Sequence, residues 1–165
     1  MKKVDENGVS KILGLSISDI QSFFKNRHPL LMIDRVDEIV EGKSAKGVKV
    51  FTYNEWFFPG HFEDNPNVPG VVTLEALMEM FIMSFITMPE CIGKETADVK
   101  VNNLHFIKQI IPGDRLDINA TLKTFRFGVA SGHSVGYVDG NEVCRCDLVV
   151  CVPDIMKKFK PDSKC

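Results

Sequence analysis

A chain of 165 residues and 18.5 kDa is the size of one domain and has room for one sizeable core. Hydrophobic residues make up 44% and charged residues 25%, which excludes disordered, collagen-like and disulfide-scaffold classes. With 20 Lys+Arg against 22 Asp+Glu the net charge is -2, so no nucleic-acid partner is expected. The five cysteines form no CxxC pair, and neither a secretory segment nor a prenylation box accompanies them. A soluble cytoplasmic protein is the expectation.

The first helix is expected to start at Ser18, with Asp19 as its first-turn acid and Gln21 as capping-box partner, and to stop before His28-Pro29. Residues 30–40 and 46–52 are short branched runs separated by Glu41-Gly42, a pattern for two strands joined by a turn. From Asn54 to Asn67 no period holds, and Pro59, Gly60, Asp64-Asn65 and Pro66 predict a structured loop. Val68 to Met88 is the most apolar stretch, with Pro69 where a first helical turn accepts it. Its length would suit a membrane, but Glu75 and Glu79 lie in its interior and basic flanks are missing. A helix buried nearly all round inside the fold is predicted instead, with no membrane span.

Beyond Pro89 the period becomes two. Val99 and Val101 alternate, then the phase slips to Leu104 and Phe106, predicting one strand with a bulge near Asn102-Asn103. Pro112-Gly113-Asp114 makes a turn, and Leu116, Ile118, Ala120 and Leu122 form one face of the next strand. Gly128, Gly132, Gly136 and Gly140 recur every four residues, which predicts a strand bending sharply around something. Asp139-Gly140 is a hairpin-type turn, and Cys144, Cys146, Leu148, Val150 and Val152 share one face of the last strand. Residues 1–152 are expected to form the domain and residues 153–165 a lysine-containing tail. This order predicts an α+β fold, a curved antiparallel sheet wrapped around one long central helix, and not a doubly wound sheet.

No P-loop, dinucleotide fingerprint or HExxH helix is present. Cys144, Cys146 and His133 lack a fourth metal ligand and are expected to be core residues, so no metal or other cofactor is predicted. Asp34-Arg35 fits a structural ion-pair role. The distinctive grouping is Phe58-Pro-Gly-His61-Phe62, then Asn67-Val-Pro-Gly70, then Glu75. His61 is a candidate general base, Gly70 a backbone N–H donor at a helix start for a developing oxyanion, and Glu75 an acid. Burial and the neighbouring Glu79 push the Glu75 carboxyl up while the helix N-terminus pushes it down, and the sequence leaves that balance open. The trio converges on proton abstraction next to a carbonyl, with a structural loop histidine as the alternative.

Arg27-His-Pro-Leu-Leu-Met-Ile-Asp-Arg-Val36, Phe57-Phe-Pro-Gly-His-Phe62, Pro66-Asn-Val-Pro-Gly-Val71, Leu74-Glu-Ala76 and Ile111-Pro-Gly-Asp114 occur in order. With them the chain, from about residue 18 to 152, resembles the bacterial 3-hydroxyacyl-acyl carrier protein dehydratases of the hotdog fold, broad-specificity type. The resemblance implies that His61 takes the C2 proton of a 3-hydroxyacyl thioester and Gly70 N–H polarises its carbonyl. Glu75, from the other subunit of a homodimer, assists departure of the hydroxyl as water. It also implies an acyl carrier protein bearing a phosphopantetheine-linked acyl chain as partner, and either a dimer or a hexamer built as a trimer of dimers. The chain departs from the family at Glu63-Asp64-Asn65, where Pro-Gly is usual, and at Leu77-Met78-Glu79, where Met-Ala-Gln is usual. Glu79 thus replaces a glutamine beside the acid and is a candidate for modulating it. Because the carrier is acidic, Lys108 and Arg115 beside the Pro112-Gly113 turn are candidate docking residues. The alternative readings are a hotdog thioesterase or acyl-CoA hydratase, and a catalytically silent acyl-binding subunit.

Overall fold

The computed structural model describes residues 2–4 and 10–159. The start of the expected domain, at 1 and 5–9, and the end of the expected lysine-containing tail, at 160–165, therefore lie outside the described residues. Short strands β1 (Lys2–Val4) and β2 (Ser10–Leu15) come first, followed by α1 (Ile17–Phe23). The N-cap of α1 is Ser16, not Ser18, and the capping box closes on Asp19, not Gln21. Serines two residues apart both precede apolar helical spacing, and the one three residues before a carboxylate wins. As expected, the helix ends before His28-Pro29.

β3 (Arg35–Val40) and β4 (Ser44–Val50) form the predicted hairpin, both shifted from the expected limits. Their turn is at Glu41-Gly42, where Gly42 has φ +71°. Asp34 accepts from the Val50 N–H at 2.7 Å and lies 3.6 Å from Lys49, while Arg35 pairs with Asp37 at 2.6 Å. Both therefore have structural partners, but not each other.

The long helix α2 runs from Gly70 to Ile86, two residues shorter at each end than expected, and Pro69 is its N-cap. It is buried nearly all round, from Val72 to Ile86. Strands β5 (Ala97–Phe106), β6 (Arg115–Arg126), β7 (Val129–Val138) and β8 (Asn141–Cys151) follow, then the single turn α3 (Pro153–Met156). All eight described strands join one antiparallel sheet in the order β1-β2-β3-β4-β6-β7-β8-β5. The bulge expected near Asn102-Asn103 is present, with Asn103 at φ +48°. The α+β hotdog architecture is thus the observed one. Strands β1 and β2 were not expected: the segment around Gly14 has no clean alternation, although Ile12 and Leu15 reach the core.

The sheet curls round α2 because its inner face is short of side chains at the points of closest approach. A Cβ on Gly132 of β7 would lie 2.5 Å from the Phe81 ring and run into the Thr121 carbonyl. One on Gly47 of β4 would lie 2.6 Å from the Met80 methyl. Polar ties hold the helix in that groove. Ser134 Oγ donates to the Leu77 carbonyl at 3.0 Å, and the Gly42 N–H donates to the Ser84 carbonyl at 2.9 Å. Cys144 and Cys146 are buried in the core, as expected. No helix among the described residues is long and apolar enough to cross a membrane.

Candidate active site

The loop before α2 is held by its own backbone. Phe57 and Phe58 are buried, their rings edge to face at 4.7 Å, and they anchor the turn that ends at His61. The Asn67 N–H donates to the His61 carbonyl at 2.9 Å, and the Val68 N–H donates to the Ile110 carbonyl at 2.8 Å. These bonds bring the loop against the segment between β5 and β6. The departing residues Glu63, Asp64 and Asn65 all lie exposed on the outer side of this loop.

His61 is half-buried, and its Nδ1 lies 3.0 Å from the Asn67 carbonyl oxygen. A carbonyl only accepts, so Nδ1 carries a proton, and in the neutral ring Nε2 keeps its lone pair. This contact fixes the orientation of the ring. Sequence reasoning missed it, since a carbonyl can be supplied by any residue type. His61 opens on a cleft of about 320 Å³, lined also by Gly70, Thr73, Phe106, Val143 and Cys144. Gly70 is the first residue of α2, so its N–H has no partner within the helix. The Phe106 ring lies over Gly70, so close that a Cβ there would come within 2.8 Å of it. Burial pushes the Cys144 thiol up to about 12, leaving it protonated and a poor nucleophile.

Glu75 stands apart from this cleft. It follows Thr73 by two residues, about 200° round the helix, and Thr73 already faces His61's cleft. Burial raises the Glu75 carboxyl above its ordinary range, and Asp98 on β5 raises it further. Of the opposing effects left open by the sequence, burial prevails. Glu75 therefore faces the side of β5, an edge strand, which among the described strands pairs with β8 only. Val71, Val99 and Phe106 are exposed.

Residues 24–147 match the family model described as a FabA-like domain. The chain belongs to the FabA-like family. Its relatives include the 3-hydroxyacyl-[acyl-carrier-protein] dehydratase FabZ of Oenococcus oeni, 36% identical over 138 residues, covering 84% of this chain and 99% of that one. The enzyme of the same name from Bacillus licheniformis is 37% identical over 135 residues, covering 82% and 94%. The expected resemblance to this dehydratase family is borne out. Among solved structures, this FabA-like chain is similar to the dehydratase heterocomplex ApeI:P from Xenorhabdus doucetiae, with a TM-score of 0.69 over 86% of this chain and 97% of that one. A putative thioesterase from Ralstonia eutropha gives 0.54 over 66% and 76%. At 12% and 19% identity these two likenesses concern the fold alone.

The remaining candidates of the FabA-like chain fall in three places. Lys108 is exposed at the mouth of the His61 cleft. Arg115, across the turn, is held by Asp117 at 2.7 Å. Glu79 is fully enclosed at 1% exposure, one turn beyond Glu75, and accepts two backbone hydrogen bonds from the segment preceding β3. Three of the six candidates, His61, Gly70 and Lys108, thus share one cleft within a single chain.

Proposed function

We propose that the protein dehydrates 3-hydroxyacyl thioesters carried on acyl carrier protein to trans-2-enoyl thioesters, as a hydro-lyase of fatty acid biosynthesis. The observation that carries the chemistry is the 3.0 Å contact between His61 Nδ1 and the Asn67 carbonyl, which leaves Nε2 as a base in the cleft. In this reading Nε2 removes the C2 proton and the C2 electron pair forms the C2–C3 double bond. The C3–O bond breaks, and the hydroxyl leaves as water with a proton from Glu75. The Gly70 N–H faces the thioester oxygen and stabilises its negative charge as the proton departs. The upward push on the Glu75 carboxyl favours its protonated, proton-donating form.

Glu75 of one chain serves the His61 of another in this proposal. Its turn away from its own cleft, the edge of the ten-residue β5 that no other described strand pairs with, and the exposed Val71 and Val99 support a dimer joined along β5. The names of the relatives support the carrier protein as the thioester's bearer, and Lys108 at the cleft mouth is the residue proposed to meet its acidic surface.

The test is to supply 3-hydroxybutyryl thioesters on carrier protein and on coenzyme A and follow the conjugated enoyl thioester. Its formation by the wild type, lost by about 10²-fold or more in His61→Ala, supports the proposal. Release of free thiol would support a thioesterase instead, and an inactive wild type on both substrates would support the silent subunit.

A further inference from the structure

One buried acid has no part in the proposed chemistry. Glu79 sits in α2 at 1% exposure, and its Oε2 accepts from the Met32 N–H at 2.8 Å and the Ile33 N–H at 3.0 Å. Met32 and Ile33 are themselves buried, at the end of the segment that joins α1 to β3. Two consecutive buried amides need acceptors, and this side chain supplies them both. Glu79 Oε1 is buried and makes no hydrogen bond. Among the described residues, Asn26, from the same joining segment, acts on the carboxyl to favour its ionisation. The charged group acting on it is Glu75, four residues earlier on the same helix.

We propose that Glu79 is a positioning residue, whose carboxyl clamps the Met32–Ile33 backbone to the helix bearing Glu75 and so fixes the place and the charge of Glu75. The proposal rests on Glu75 being the acid of the dehydration. Burial pushes the Glu79 carboxyl up to about 8, against the pull of the two amides. Below that pH it is neutral. It then holds the backbone much as an amide oxygen would and leaves Glu75 without a second negative charge one turn away. Above it the new charge bears on Glu75, because coupling between two titrating groups is mutual.

Two variants and one spectrum test this. The amide signals of Met32 and Ile33 should titrate with a midpoint near 8 in the wild type and stop titrating in Glu79→Gln. This readout needs no turnover, so it stands even if the wild type dehydrates nothing and the proposed function fails. In the dehydration assay Glu79→Gln should keep kcat within about twofold of wild type at pH 6.5, with the ratio of the two departing from that value above pH 8. Glu79→Leu should lower kcat at least about tenfold with little change in KM, since the helix loses its tie to the 24–34 segment. A wild-type spectrum with no step near 8 at Met32 and Ile33 would overturn the clamp. So would a kcat ratio for Glu79→Gln that stays flat from pH 6 to 9.5. If Glu79→Leu does not fold, the glutamine variant and the wild-type titration decide the matter alone.

Discussion

Replacing Glu79 by Gln keeps an acceptor for two buried amides and removes a proton equilibrium that the fold opposes. In the folded chain burial holds the Glu79 carboxyl at about 8, against an ordinary value of 4.5. Between those two values the folded state retains a proton that the unfolded state has released. Stability therefore falls as pH rises through this window, and the contribution is fully favourable only below about 4.5. By pH 7 the loss amounts to roughly 3 kcal/mol, at about 1.4 kcal/mol per pH unit. Glutamine carries no such dependence. The stability of Glu79→Gln minus that of wild type should rise by roughly 3 kcal/mol between pH 4.5 and pH 7 and level off above about 8. Urea denaturation followed by circular dichroism, at one fixed protein concentration across that pH range, measures the difference. A difference that does not change with pH would contradict a raised Glu79 carboxyl, because it would mean that Glu79 ionises alike in the folded and unfolded chain.

Other outcomes follow from the same geometry. Gly132→Ala places a methyl 2.5 Å from the Phe81 ring and against the Thr121 carbonyl, and should lower stability by about 1–3 kcal/mol in a urea melt. A melt unchanged from wild type would mean that α2 has slack in its groove. Val99→Asp would put like charges across the proposed β5–β5 seam, and sedimentation should show a shift towards monomer with helix and strand content preserved. An undisturbed dimer would place the interface elsewhere. Raising salt should slow turnover of carrier-linked substrate while sparing a small thioester, and Lys108→Glu should abolish that salt effect more fully than Arg115→Glu, whose partner Asp117 already neutralises it. Equal slowing of both substrates by salt would remove the docking role.

Much of the fold was legible because its strongest signals are local. The apolar run around Phe81 and Phe85 has no polar face, so a sheet curled around it accommodates it, and of the four spaced glycines Gly132 of β7 marks where that sheet comes close, while Gly128 and Gly140 serve turns at positive φ. Alternation in β6 and β8 named the inward face residue by residue. What escaped depends on partners far along the chain. Strand β2 owes its place to pairing with β3, since Gly14 and Lys11 spoil its own pattern. The orientation of His61 comes from a main-chain carbonyl at Asn67, which has no residue-type signature. Glu79 stood out as a second acid, but its engagement of Met32 and Ile33, 47 and 46 residues away, belongs to the tertiary structure. Phe106 was assigned to a strand face by alternation, whereas its ring covers Gly70 at the edge of the sheet.

The proposed site takes its base and its acid from two copies of one chain. Copies carrying His61→Ala and copies carrying Glu75→Gln, each inactive alone, are unfolded, mixed in equal amounts and refolded together before assay on a 3-hydroxyacyl thioester. Random pairing into dimers leaves one intact site in half of them, so about a quarter of wild-type activity should return. A mixture as inactive as its parents, in which mixed dimers are shown to have formed, would contradict the shared site.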